Sequence, residues 1–410
     1  MQQLYLFNPG HEMEILCGKS HYTPPYSVQK MSTDLEMVPV WYGGAGSFTL
    51  VRNPLASQFI ASLPKVFRTS LSSPMILNLM MKELYRRKKL GEKPKLPPLT
   101  ANIWGISPRS LDTFKELKQA GMEIEIPEWK EEYVQLTNRQ TSALCLERLQ
   151  DTIPITPRLQ IPVFCKELKE LDDYMAKNTP PHVLKTPFSS SGRGLYWIDD
   201  NKLDARALSW VNSSLKKQGT VSVEPALSRI FDFAAAFYSD GKGNVNYLGL
   251  SIFETQSKGR FVGCMLGTQE MLLQRLNEYI SPEDFQFLAE QICTILNEVV
   301  GHTYCGYLGV DMFIYKTQDG DYAVHPFVEL NLRYTIGLVA MQISRQFIHP
   351  KSQGMLQTIS YVYDAMNEHQ RMRTEAPLVL ENNLIRSGYL SLCPVGPDTR
   401  YMAIMNVFSN

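Results

Sequence analysis

The apolar positions of the first third fall in short runs separated by polar helical stretches. Leu4-Tyr5-Leu6-Phe7 and Met37-Val38-Pro39-Val40-Trp41-Tyr42, the second stopped by Gly43-Gly44, have the composition of strands. Ile103-Trp104-Gly105-Ile106, a helix from Ser110 to Gln119 closed by Gly121, and Glu123-Ile124-Glu125-Ile126-Pro127 read as strand, helix, strand. Such alternation predicts a parallel sheet with crossover helices, an open α/β layer. Thr137-Asn138 caps a helix running to about Leu149, and a proline-punctuated turn from Asp151 to Pro157 ends it, which places a domain boundary near residue 135.

Strands dominate from Val183 onward. His182 to Lys185, Leu195 to Ile198 and Thr220 to Glu224 read as antiparallel strands joined by short turns. One later helix is legible in full: Ser281 caps it, Pro282 suits its first turn, Asp284 stands at capping-box spacing, and Phe285, Leu288, Ile292, Ile295 and Val299 repeat at three and four before Gly301. Tyr307 to Tyr315 and Tyr322 to Asn331 flank a turn around Asp319-Gly320 and predict a hairpin. Along its second strand Val324, Pro326, Val328 and Leu330 face one way, and His325, Phe327, Glu329 and Asn331 the other, so Glu329 and Asn331 lie about 7 Å apart on one face. Register decides whether Asp311 joins them. A two-residue turn sets it opposite Val328, on the wrong face, whereas an odd-length connection or a bulge sets it opposite Glu329, and the latter is expected.

A chain of 410 residues exceeds one core, and the patterning divides it into an α/β domain over 1–135, a subdomain over 136–224 and a second over 225–410. Its 41 Lys and Arg balance 41 Asp and Glu, so no global field draws it to nucleic acid or an acidic membrane. The basic stretch from Lys82 to Lys95 reads as a solvated helix end and loop, with only Tyr85 as an interleaved aromatic. No membrane-spanning run and no signal-like start are present. Seven cysteines lie scattered without zinc spacing, as in a reducing cytoplasm.

Lys185-Thr186-Pro187-Phe188-Ser189-Ser190-Ser191-Gly192-Arg193-Gly194 puts a strand lysine before small residues whose backbone N–H groups can cradle phosphate oxygens. It is not a Walker A loop, because the lysine precedes the glycines. Taken alone, its plainer explanation is a Ser/Gly hairpin turn. Oxygen ligands spaced as Glu329 and Asn331 are, with a third from the neighbouring strand, suit Mg²⁺ that also binds phosphate. His325 shares that face, but histidine is a poor Mg²⁺ ligand and reads as packing. His11 and Glu12 follow the first strand at the carboxyl edge where open α/β sheets bind ligands. Lys258 and Arg260 sit between strand-like stretches, within reach of a carboxylate or phosphate.

Lys185, the loop at 189–194, the strand ending Val221-Ser222-Val223-Glu224-Pro225, then Asp311 and Glu329-x-Asn331-x-Arg333 resemble, in order and spacing, the motifs of ATP-grasp enzymes. The likeness covers roughly residues 136–345, and the preceding domain is similar to the α/β domain that comes first in that family. The resemblance implies an α+β module of two subdomains with antiparallel sheets holding ATP and Mg²⁺, two ions. In it, Lys185 contacts phosphate, the loop closes over the triphosphate, Glu224 begins the hinge facing adenine, and Asp232 binds ribose. Asp311, Glu329 and Asn331 are then metal ligands, and Arg333 stands near the transferred phosphoryl group; Arg260, from its place between strands and not from the resemblance, is added as a further catalytic cation. Arg139 stands where the family often has a lysine.

By the same resemblance the reaction joins a carboxylate to an amine, or less often a thiol, through an acyl phosphate. The implied partners are small molecules, amino acids or a peptide among them, with a homodimer as an allowed assembly and neither nucleic acid nor membrane. A small-molecule kinase and a nucleotide-binding regulatory protein are the rival readings.

Overall fold

The computed structural model describes residues 1–153, 157–189, 192, 194–256, 259–361 and 363–409. Contacts divide the chain into one unit of residues 1–129, 263–268 and 338–410 and another of residues 130–262 and 269–337.

In the first unit five parallel strands stand in the order Ser73–Ile76, Phe48–Val51, Gln2–Leu6, Leu99–Ile103, Ile124–Glu125. The chain winds outward from Gln2–Leu6 through two strands, then returns to the other side of Gln2–Leu6, so the strand order reverses between Gln2–Leu6 and Leu99–Ile103. Leu4, Leu50, Leu99, Phe114 and Leu117 form the core that this sheet shares with the Pro108–Gln119 helix.

The Met37 to Tyr42 run is not a strand, and this corrects the pattern reading. Turns lead into a short helix, Val40–Gly43, where Tyr42 and Gly43 donate to the carbonyl of Pro39 at 3.2 and 2.8 Å. A proline cannot donate to a central ladder. The run is apolar because Trp41 plugs the unit's interior: it has no exposed surface, its indole donates to the Leu392 carbonyl at 2.8 Å, and its ring meets Phe67 and Phe347 edge-on. Likewise the strand expected over Ile103 to Ile106 has ended at Ile103, after which Trp104 makes one last bond to Leu6 and the chain turns at Gly105. The closing segment of the unit is antiparallel, with Ser352–Ser360, Tyr401–Ser409, Leu384–Ser391 and Val379–Glu381 in that order beside residues 263–266.

The second unit holds two antiparallel sheets. The smaller runs Val163–Cys165, Val221–Pro225, His182–Lys185, Leu195–Ile198. Its last two elements in sequence are joined by the Ala205–Gln218 helix, not by a short turn, and Ala207 and Val211 on that helix cover Leu184, Val221 and Val223. The larger runs Tyr322–Asn331, Cys305–Lys316, Ser228–Asp240, Val245–Thr255. The Pro282–Val299 helix packs on it as its periodicity predicts: Phe285, Leu288, Ile292 and Ile295 are buried, with Phe285 edge-on to Phe233. Ser281 accepts from the Asp284 backbone at 3.0 Å, and Gly301 donates back to Leu296 at 2.9 Å.

Helix Arg139–Thr152 also begins where expected, with the Asn138 side chain accepting from Gln140 N at 2.9 Å. Asn138→Ala is expected to cost about 1 kcal/mol in thermal denaturation. An unchanged midpoint would show that tertiary contacts alone start this helix.

Candidate active site

The smaller sheet positions the first cation. Lys185 stands across from Ser222 and Val183 across from Glu224, so Lys185 and Glu224 are diagonal neighbours on one face. Their side chains form a largely buried ion pair. Arg139, at the start of its helix, reaches three groups. Its Nε donates to the Thr186 carbonyl at 3.0 Å, and one terminal nitrogen lies 3.1 Å from Ser189 Oγ and 2.8 Å from Glu329 Oε1. One arginine therefore ties the Ser/Gly loop to the hairpin that carries Glu329. One turn along the same helix face, Ser142 Oγ accepts from Leu330 N at 2.9 Å and holds that strand against the helix.

The hairpin resolves the question of register. Thr317 and Asp321 close a three-residue turn, with Gly320 at φ 93°, a conformation open to glycine. Lys316 pairs Tyr322, so counting five residues along each strand would set Asp311 across from Phe327. A bulge intervenes: between the Asp311–Glu329 and Phe313–His325 pairs, Met312 alone opposes Pro326, Phe327 and Val328. Pro326, which has no N–H to offer, suits that interruption. Odd connection and bulge together set Asp311 opposite Glu329, with Asn331 opposite Gly309 one step further along.

Burial, reinforced by the facing Glu329 carboxylate, pushes Asp311 up to about 7, against the opposing pull of Arg333 and an Asn331 hydrogen bond. Arg333 donates to Asn331 Oδ1 at 2.9 Å and to the Tyr334 carbonyl at 3.1 Å. Asp232 is buried; it pairs with Arg229 and accepts from Thr255 Oγ1 at 2.7 Å. Arg229 also lies over the Phe313 ring at 5.4 Å. His325 lines a cleft with Arg139, Lys185, Glu224 and Phe327. Burial, with Lys185 nearby, holds it down to about 3, so it is neutral, and its buried Nδ1 has no hydrogen-bond partner among the described residues.

Ser190, Ser191, Arg193 and Lys258 lie outside the described residues. Their neighbours are placed: Gly192 has φ 74°, and a Cβ on it would come within 2.6 Å of the Gly259 carbonyl. A Cβ on Gly194 would meet Thr186 Oγ1 at 2.2 Å. The Ser/Gly loop thus lies directly against the turn that leads into Arg260. Arg260 itself is exposed, and its guanidinium makes no hydrogen bond among the described residues.

No protein-family model matches the sequence, and comparison with curated proteins finds no match. Solved structures do match. The biotin carboxylase domain dimer of Hydrogenobacter thermophilus 2-oxoglutarate carboxylase, in complex with MgADP, ADP and bicarbonate, aligns with a TM-score of 0.52 at 12% identity, covering 100% of this chain and 86% of that one. Campylobacter jejuni biotin carboxylase, in a β-γ-ATP complex, aligns with a TM-score of 0.53 at 11% identity, over 100% and 87%. Staphylococcus aureus N5-carboxyaminoimidazole synthetase aligns with a TM-score of 0.50 at 12% identity, over 100% and 93%. These are ATP-grasp proteins. The chain has the ATP-grasp fold.

Within this fold the two sheets of the second unit gather most of the residues singled out by sequence. Lys185 pairs with Glu224, Arg139 with Glu329, and Asp311 with Asn331 and Glu329. Pattern reading overlooked Arg229 and Ser142. Arg229 carried a signal, since it stands three residues before Asp232. Ser142 had only its i+3 relation to Arg139, and nothing local points from it to Leu330. His11 and Glu12 are buried beside one another, 3.2 Å apart. His11 packs into the space left by Gly105, where a Cβ would come within 2.3 Å of its ring.

Proposed function

We propose that the second unit binds Mg·ATP and that the protein is an ATP-dependent ligase joining a small carboxylate to an amine through an acyl phosphate. The observation that carries this reading is the register that sets Asp311 against Glu329 with Asn331 beside them. Two facing carboxylates, one buried and with its charge disfavoured, are an arrangement that a hard cation stabilises. The donor set fits magnesium: two carboxylates and an amide oxygen, with no cluster of three His, Cys, Asp or Glu among the described residues. Phosphate oxygens and water complete such a coordination. When bound, the metal neutralises charge as the γ-phosphoryl group moves.

The protein's own residues have distinct parts in this reading. Lys185 and Arg139 bring positive charge to the phosphates, and the backbone at Gly192 and Gly194 closes over them. Arg333, fixed by its bonds to Asn331 and Tyr334, presents charge to the transferred group. Glu224 lies at the start of the segment that meets adenine, Asp232 serves the ribose with Thr255, and Arg260, next to the turn packed on Gly192, is a further cation for the phosphates. Positioning does most of the work, and no side-chain nucleophile is required. Support comes from the fold, shared with biotin carboxylases solved with MgADP and with β-γ-ATP. The seven free thiols suit a reducing cytoplasm, and among the described residues no helix is long and apolar enough to cross a membrane.

The test is hydroxylamine trapping across a panel of amino acids and peptides, with ADP release measured in parallel. Hydroxamate is expected with the true carboxylate only when Mg·ATP is present. ADP release with a phosphorylated alcohol as product, and no hydroxamate, would make the protein a kinase.

A further inference from the structure

We propose that the first unit carries its own ligand site, a cleft at the switch point of its parallel sheet that takes a small monocarboxylate bearing hydroxyl or amide groups. The site is separate from the nucleotide reading, because every residue in it belongs to the first unit.

Position comes first. Asn8, Pro9 and Gly10 follow the Gln2–Leu6 strand, Arg52 follows Phe48–Val51, and Arg109 opens the helix after Leu99–Ile103. Three strands therefore deliver their carboxyl ends to one cleft, at the point where the strand order reverses and where open α/β sheets bind ligands. The cleft's own volume is about 180 Å³, below that of drug-sized pockets, which restricts it to a small ligand.

Its floor is rigid. Glu14 is buried, and both of its oxygens are occupied: Ser107 Oγ donates at 2.6 Å, Asn8 Nδ2 at 3.1 Å and Arg109 at 2.8 Å. Asn8 in turn accepts from Gly105 N at 3.0 Å and donates to Gly105 O at 2.8 Å. A fully satisfied network of this kind holds the cleft's shape before any ligand arrives. Glu14 also offsets the charge of Arg109, and its three hydrogen bonds leave it poorly placed to hold an ammonium group.

Arg52 differs. Its backbone N–H is held by Glu36 at 2.8 Å, which anchors the start of the side chain, yet its guanidinium has no hydrogen bond or ion pair among the described residues. The cleft's lining thus carries two arginines against one carboxylate, with the buried Glu36 carboxylate behind Arg52, and Arg52 offers a planar fork that matches a carboxylate. A phosphate monoester dianion would leave negative charge uncompensated.

The facing wall is the Tyr26–Asp34 helix, whose Gln29, Ser32 and Thr33 share one face at i, i+3 and i+4. That polar stripe suits hydroxyl or amide groups on the ligand. Gly10 lets the helix approach, since a Cβ there would meet Val28 Cγ1 at 2.7 Å.

The experiment is saturation-transfer NMR on the full chain with lactate, glycerate and N-acetylglycine as probes and inorganic phosphate as the rival anion. At least one carboxylate is expected to bind saturably to the wild type and to the Glu329→Gln variant alike. Arg52→Ala should weaken that binding at least tenfold without moving the thermal midpoint, while the exposed Arg206→Ala leaves it unchanged. Absence of carboxylate binding, equal affinity in Arg52→Ala, or tighter Arg52-dependent binding of phosphate would each overturn the proposal.

Discussion

Glu329→Gln is expected to lower ATP-dependent turnover by about two to three orders of magnitude, because a bound divalent cation contributes several kcal/mol to the transition state for phosphoryl transfer. The change keeps shape and an oxygen for Arg139, which lies 2.8 Å from Glu329 Oε1, but removes one of two facing negative charges. The midpoint for Mg²⁺ at fixed ATP should rise. Arg139→Met separates this effect from loss of the arginine contact, for it should raise KM for ATP while leaving the Mg²⁺ midpoint in place. Full turnover in Glu329→Gln would remove Glu329 from the metal site.

The second large effect is on stability. Lys185 and Glu224 are each about one-tenth exposed, at 9% and 12% of their side-chain surface. Lys185→Met strands the Glu224 carboxylate in a setting that cannot solvate it, at a cost of about 3–5 kcal/mol in urea denaturation. Adding Glu224→Leu should restore most of that loss, since a well-packed apolar pair replaces a buried ion pair without penalty. ATP-dependent turnover should stay absent in the double variant, because the cation offered to phosphate is gone. A cost below about 1 kcal/mol for Lys185→Met would mean that Glu224 finds water, and the pair would then count as an exposed one.

The elements legible in the chain are those whose signals are local. The Pro282–Val299 helix shows its cap, its first-turn proline and its apolar period within twenty-odd residues of sequence, and the structure places Phe285, Leu288, Ile292 and Ile295 inward. Asp319-Gly320 marked the turn but suits a two-residue loop as well, and the odd connection was expected only because it brings Asp311 to the face of Glu329. The bulge at Pro326 was readable only as one of two alternatives, and it is the combination with the turn that brings Asp311 to Glu329. The Met37 to Tyr42 run went wrong for a physical reason: six apolar residues look alike whether they pair in a sheet or plug a core. What decides between them is Phe67, Phe347 and the Leu392 carbonyl, up to 351 residues away.

Sequence alone determined the α/β beginning and the antiparallel continuation, because alternation and turn chemistry act over a few residues, while Lys185, Glu224, Asp311, Glu329, Asn331 and Arg333 were picked out by a resemblance in motif order and spacing. Tertiary structure decided which charges meet. Arg139 reaches Glu329 across 190 positions, and Glu14, Arg52 and Arg109 come to one cleft from three strand ends. Such meetings depend on how sheets and helices pack, and nothing within a short window of sequence encodes them.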